Sequence, residues 1–361
     1  MTGVTRRTAR MADGRDLFYF DDADSTLPAE RQLDERALDP RPATATMRQD
    51  VLTGDWISVA SNRNNRVFLP PAHLDPLAPQ TAENPSEIPD IYDVAVFENR
   101  SPSFGPDGAG DPLPAGRGYD RAVPALGRCE VVCFSPESEG SLGTQSVSRI
   151  RTVIEAWADR TRELSALPGV AQVFPFENRG EAIGVTLGHP HGQIYAYPFV
   201  TPRTKTTLAA VAELGPDLFA RILEREQAGP RIVLQGEHWT AFVPFAARWP
   251  VELHLLPHRQ VPDIDALDEA ERAELATVFK RLLLGIDALY DTPTPYIAAW
   301  HQAPVREGRD DVRLMLQITS PRRAAERLKF LAGSEAAMGA WVADIVPEDA
   351  AARLREAVAS V

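Results

Sequence analysis

Of the seven histidines in this 361-residue chain, two stand one residue apart in Gly188-His189-Pro190-His191-Gly192-Gln193. In an extended segment residues i and i+2 share a face, so His189, His191 and Gln193 form a polar row along one side of a strand. Neutral imidazole, with a reference pKa of about 6.5, can attack phosphorus without a dedicated base. Attack requires one ring nitrogen to be free and the other to be held, often by a backbone carbonyl, which fixes tautomer and orientation. Pro190, with its fixed φ and missing N–H, and the flanking glycines set such a backbone. Gln193 offers an amide N–H to a phosphoryl oxygen as charge develops. The same pair of imidazoles also suits a metal or an ordinary surface, so its surroundings must decide.

The elements that position this row are legible as periodicities. Immediately after Gln193 the chain turns apolar through Val200, which continues the strand. Further strand-like runs cover 56–59, 129–134, 170–176, 232–235, 240–244, 252–256, 296–301 and 314–319. Val147, Ile150, Ile154, Trp157 and Leu164 follow helical spacing over about 146–167, and a second long helix spans about 267–290. Further helices follow Lys329, one of them starting at Pro347-Glu348. Proline-rich 70–92 and glycine-rich 101–118 read as long loops. Strands separated by short turns or single helices favour an antiparallel α+β fold over a doubly wound sheet.

Composition removes several function classes. With 44% hydrophobic and 25% charged residues the chain builds a large core, and a net charge of −13 argues against nucleic acid or an anionic membrane surface as partner. No apolar run approaches the 18 residues or so of a membrane span, and no apolar segment follows Arg6-Arg7 as in a secretory signal. Cys129 and Cys133 read as buried reduced thiols of a cytoplasmic protein. Residues 1–45, rich in Arg, Asp, Thr and Pro with little periodicity, read as a loosely held, flexible N-terminal arm.

The run Phe176-Glu177-Asn178-Arg179-Gly180, then Gly184, then His189-Pro190-His191-Gly192-Gln193-Ile194-Tyr195-Ala196 resembles the signature of galactose-1-phosphate uridylyltransferases of the histidine-triad superfamily. The resemblance extends over most of 48–361. It implies two fused histidine-triad-like halves, 46–200 with the catalytic motif and 201–361 with the hexose segment, forming a largely antiparallel sheet with packed helices. It makes His191 the nucleophile that takes UMP from UDP-glucose and passes it to galactose 1-phosphate, with His189 and Gln193 assisting. Arg63 and Arg66 match the family's Arg-x-x-Arg, whose guanidinium forks suit a diphosphate. Phe97, Asn99 and Arg100 match the base and ribose contacts, with Arg100 replacing the usual acid. Asn178, Gly184 and Thr186 match positions that hold the phosphate. Lys329, Phe330, Ser334 and Glu335 resemble the hexose-binding segment, with Ser334 in place of the commoner Tyr.

Many relatives hold zinc with a Cys-x-x-Cys pair, a later His and the first triad His. Here those positions are Asp75 and Ala78, Ser138 and His189. One imidazole cannot make a closed tetrahedral site. The second, iron site of some relatives falls on Thr207, His301, Met315 and Gln317, again with one ligand left. The sequence therefore implies neither metal nor other cofactor. A homodimer is expected from the resemblance. Arg100 keeps open a sibling activity, a phosphorylase or adenylyltransferase acting on another nucleoside-diphosphate sugar such as ADP-glucose. The motif is also compatible with a histidine-triad hydrolase that resolves the intermediate with water, and with a non-catalytic nucleotide-sugar binder.

Overall fold

The computed structural model describes residues 3–39, 45–61, 70–106, 118–290 and 292–361. Four consecutive large apolar residues, Leu17-Phe18-Tyr19-Phe20, mark its first buried strand, because a strand covered on both faces needs such a run. They lie in β2 (Asp16–Asp21), which pairs with β1 (Thr5–Arg10) as a hairpin and with the main sheet through β5 (Val94–Glu98). The expected loose N-terminal arm is thus corrected over the hairpin of residues 5–21. Its few hydrophobic residues are concentrated in one strand, so low average hydrophobicity hid a docked element. Arg160 locks the hairpin down, making a bidentate pair with Glu130 at 2.9 Å while its guanidinium lies 4.1 Å from the Phe18 ring centroid.

Between these, β3 (Thr46–Gln49) and β4 (Trp56–Val59) join β6 (Ala122–Pro124) in a small separate sheet. Then follow β7 (Arg128–Cys133), helix α1 (Val147–Ser165), β8 (Gln172–Arg179) and β9 (His191–Tyr197). Helices α2 (Pro202–Leu214) and α3 (Leu218–Gln227) lead into β10 (Ile232–Gln235), β11 (Trp239–Phe242) and β12 (Val251–Pro257). Helix α4 (Glu269–Asp287) precedes β13 (Tyr296–His301) and β14 (Met315–Ser320). The small hairpin β15 (Arg322–Ala324) and β16 (Arg327–Leu328), α5 (Gly333–Met338) and α6 (Pro347–Ala359) close the chain.

Among the described residues, eleven strands form one antiparallel sheet in the order β1-β2-β5-β7-β9-β8-β13-β14-β12-β11-β10. The order is duplicated. Two strands, a helix and two more strands give β5-β7-β9-β8 around α1 and β11-β12-β14-β13 around α4, with β8 and β13 meeting at the seam. Local sequence starts both helices: Ser146 Oγ accepts from Arg149 N at 3.0 Å, and Asp268 and Glu271 form a reciprocal capping box at 2.9 Å. The apolar stripes of both helices bury against the same sheet face. Trp157 of α1, Phe279 of α4 and Trp300 of β13 meet there with ring centroids 6.0–6.3 Å apart. The two halves therefore share one core. No helix among the described residues is long and apolar enough to cross a membrane.

Candidate active site

The face away from the helices carries the site, and the register says which residues share it. Straight across the sheet, neighbours in register are Leu17, Phe97, Val131, Gln193, Phe176, Ala299, Gln317 and His254. Cross-strand partners project to one side, so Gln193 stands in the middle of this face. His191, two residues earlier on β9, lies on the same side opposite Cys133. The same register gives a contrast between the halves. Across the seam, Gln317 takes the place of Gln193, and Met315 that of His191. The second half keeps the amide and lacks the imidazole.

Gly192, between the two, faces the other way. A Cβ there would fall 2.9 Å from the Phe134 ring and 3.0 Å from the Phe176 carbonyl oxygen, so only glycine lets β9 lie this close to its neighbours.

His191 Nδ1 donates to the His189 carbonyl at 2.7 Å, which leaves Nε2 as the unprotonated nitrogen of the neutral ring. Burial pushes the His191 pKa down, assisted by the neighbouring His189 and opposed by the hydrogen bond and Asp75. The ring is therefore neutral at physiological pH.

His189 is used differently. Its buried ring sits between acceptors, Nδ1 at 2.7 Å from Asp75 Oδ2 and Nε2 at 2.8 Å from the Ser135 carbonyl, with the Tyr92 hydroxyl 3.1 Å from Nε2. Asp75 also accepts from Ser138 Oγ and, at 2.9 Å, from Leu77 N. Burial works to raise the Asp75 pKa, and the donors from His189, Ser138 and Leu77 hold it below the ordinary carboxylate range. The proline-rich loop that carries Asp75 and Tyr92 is thus a packed cover over His189.

This arrangement does not fit a zinc ion. Asp75, Ser138 and His189 occupy three of the four matching positions, the fourth being Ala78, and are already joined through Asp75, and each ring nitrogen of His189 faces an oxygen acceptor. The other metal position is filled likewise. His301 Nε2 donates to Gln317 Oε1 at 3.1 Å, and Gln317 Nε2 donates to Glu252 at 2.7 Å. Burial, then the charge of Arg203, push His301 down to about 3, so its ring is neutral.

One cavity gathers Phe97, Asn99, Arg100, Thr186, His191 and Gln193. Asn99 Oδ1 accepts from Ser101 N at 2.9 Å, and Arg100 reaches the Asp39 carbonyl at 3.3 Å. Asn178, two residues past Phe176 on β8, and Gly184, in a left-handed turn with φ +83°, are not among the residues that line it. Arg63 and Arg66 lie outside the described residues. Lys329 and Phe330 line a second cavity with Trp249, Ile297 and Thr319, which shares no lining residue with the first. Lys329 Nζ bonds Glu335 at 2.7 Å and the carbonyls of Arg248 and Val342, while Ser334 Oγ donates to Ala340 O. Glu335 takes up both Lys329 and the N–H of Ala332, at 3.1 Å.

The family model described as galactose-1-phosphate uridyl transferase, N-terminal domain, matches residues 39–201, and the one for its C-terminal domain matches 209–361. The chain belongs to the galactose-1-phosphate uridyl transferase family. A relative from Streptomyces lividans named galactose-1-phosphate uridylyltransferase is 44% identical, over 98% of each chain. A solved structure titled a uridylyltransferase superposes with a TM-score of 0.78 at 31% identity, covering 87% of this chain and 99% of its own. An ADP-glucose phosphorylase from Arabidopsis thaliana shares the fold, with TM-score 0.64 at 21% identity over 86% of this chain and 98% of its own.

Arg15 and Glu87, which the motifs did not single out, also line the His191 cavity. Arg15 stands before the family match begins; the signal that could have found it is the apolar run that starts two residues later at Leu17, which marks a strand beginning beside the cavity wall.

Proposed function

We propose that this chain exchanges UMP between UDP-glucose and galactose 1-phosphate through a uridylyl intermediate on His191. The observation that carries the reading is the 2.7 Å bond from His191 Nδ1 to the His189 carbonyl, which leaves Nε2 with a free lone pair on a ring lining the cavity. Nε2 attacks the α-phosphorus; the N–P bond forms as the P–O bond to glucose 1-phosphate breaks, and the leaving phosphate takes the electron pair. A phosphate oxygen of galactose 1-phosphate then attacks the same phosphorus from the same pocket, and the pair returns to Nε2. Gln193, whose amide bonds no other described residue, is the donor to the equatorial oxygens. Phe97, Asn99 and Arg100 receive the base and ribose. Nothing in these steps uses a metal, and we include metal-independence in the proposal. It is supported by the side-chain bonds that join Asp75, Ser138 and His189.

The test is intact mass after incubation with UDP-glucose alone. A uridylyl adduct that galactose 1-phosphate discharges, and that is absent in His191→Ala, is expected. No adduct, or discharge by water at the same rate, overturns the reading.

A homodimer in the cytoplasm completes the proposal. Phe330, Met338 and Val342, all exposed around the hexose segment, are apolar surface of the kind a partner covers, and both cysteines are buried thiols. Monomer mass in light scattering at micromolar concentration would remove the dimer from it.

A further inference from the structure

The N-terminal hairpin carries Arg15 to the cavity wall beside the segment Phe97-Glu98-Asn99-Arg100. Its side chain is fully buried, and every nitrogen has work. Nε donates to Asp13 at 2.8–2.9 Å, Nη2 to Glu87 at 2.6 Å, and Nη1 to the Glu98 carbonyl at 2.8 Å. The guanidinium carbon lies 6.0 Å from the Phe97 ring centroid.

The last bond matters most. The β2–β5 pairing runs from Phe20 opposite Val94 to Leu17 opposite Phe97, and there it stops. Glu98 ends β5 and immediately precedes Asn99, and its carbonyl accepts from Arg15 Nη1. Arg15 thereby fastens its side chain to the backbone at the end of β5, directly before the segment that faces the ligand. Asp13 sits in the turn of the hairpin, where Gly14 N bonds Met11 O at 2.9 Å and Gly14 takes φ +82°, and it holds the fork in one orientation. Glu87 ties the same fork to the loop that covers His189. The charges are nearly compensated: the guanidinium faces two carboxylates, and Arg36 stands 3.6 Å from Glu87.

We infer that the N-terminal hairpin is a wall of the nucleotide pocket and that Arg15 is a positioning residue, fixing Phe97 through Arg100 for the base and ribose. The hairpin precedes the stretch matched by the family model, which begins at residue 39. The inference rests on the reading that the cavity beside His191 receives the nucleotide of UDP-glucose.

Because Arg15 acts on the nucleotide wall and touches neither His191 nor the hexose segment, its loss separates the two substrates. The UDP-glucose concentration that half-saturates adduct formation is expected to rise about tenfold in Arg15→Gln and about threefold in Arg15→Lys, which keeps the charge without the planar fork. The galactose 1-phosphate concentration that half-saturates adduct discharge is expected to stay within twofold. Asp13→Asn, which loosens the fork and leaves the bond to Glu98, is expected to give a shift smaller than Arg15→Gln and carries the test should that variant not fold. Wild-type UDP-glucose saturation in folded Arg15→Gln and Asp13→Asn overturns the inference, as do equal shifts for both substrates, which a merely structural role would give. A wild-type protein that forms no adduct instead overturns the underlying reading of the pocket, and the inference with it.

Discussion

Asp75 Oδ2 lies 2.7 Å from His189 Nδ1, where the zinc-holding relatives implied by the resemblance carry a cysteine and a metal. The bond joins the covering loop to the residue whose carbonyl orients His191. A chain of two short contacts, Asp75 to the His189 ring and the His189 carbonyl to His191 Nδ1, thus links the covering loop to the imidazole that lines the cavity.

Replacing Asp75 with Asn keeps the shape and removes the charge. Leaving His189 and Ser138 poorly paired in a buried site costs about 1–3 kcal/mol, and the rate of adduct formation should fall with it. Because the folded pKa of Asp75 is lowered, its stabilisation is complete above the unfolded carboxylate value of about 3.9 and is lost as pH falls through the lower folded value. Urea melts of the two proteins should therefore differ at pH 6–8 and converge at acid pH. A difference that stays constant from pH 8 down to pH values below the ordinary carboxylate range would contradict a stabilising charge on Asp75.

The His191 pKa is lowered, and the neutral ring is the nucleophile. The single-turnover rate of adduct formation should stay level as pH falls from 8 through 6.5 and drop only below it. An acid limb at or above 6.5 would place the charged ring in the working pH range and remove the burial argument. The depressed value has a second consequence, since charging a buried imidazole weakens the fold as pH falls below about 6.5.

Gly192→Ala should destabilise the protein by about 1–3 kcal/mol, because its Cβ meets the Phe134 ring and a strand carbonyl rather than open space. Denaturant midpoints of the two proteins check this. Equal midpoints would show that β9 can move away from β8 without cost.

Extended dialysis against a chelator, followed by metal analysis and assay, should leave uridylyl exchange unchanged in protein containing no stoichiometric zinc or iron. Loss of activity restored by added zinc would show that the hydrogen-bonded cluster is not the working state.

The sequence carried much of this protein by itself. Periodicity specified α1, α4 and the strands from β7 to β14, because helix and strand stripes are local properties of spacing. The spaced motif around His189 and His191 pointed to the family, and the segments matched to that family, Phe97 to Arg100 as well as Asn178 to Gln193, contain the cavity residues Phe97, Asn99, Arg100, Thr186 and Gln193. What it could not specify depends on long-range pairing. The N-terminal segment looked loose because composition averages over the four residues of β2 that bury between β1 and β5. Asp75 and Ser138 were legible only as absent metal ligands, for nothing at positions 63 residues apart reveals that they bond one another. Sequence spacing likewise cannot show Met315 standing across the seam at the place of His191, since a register is set by strand pairing. The residue types determined what chemistry is available; the tertiary structure decided that His191 is held neutral with one nitrogen free, that His189 is tied to Asp75, and that an N-terminal arginine reaches the same pocket.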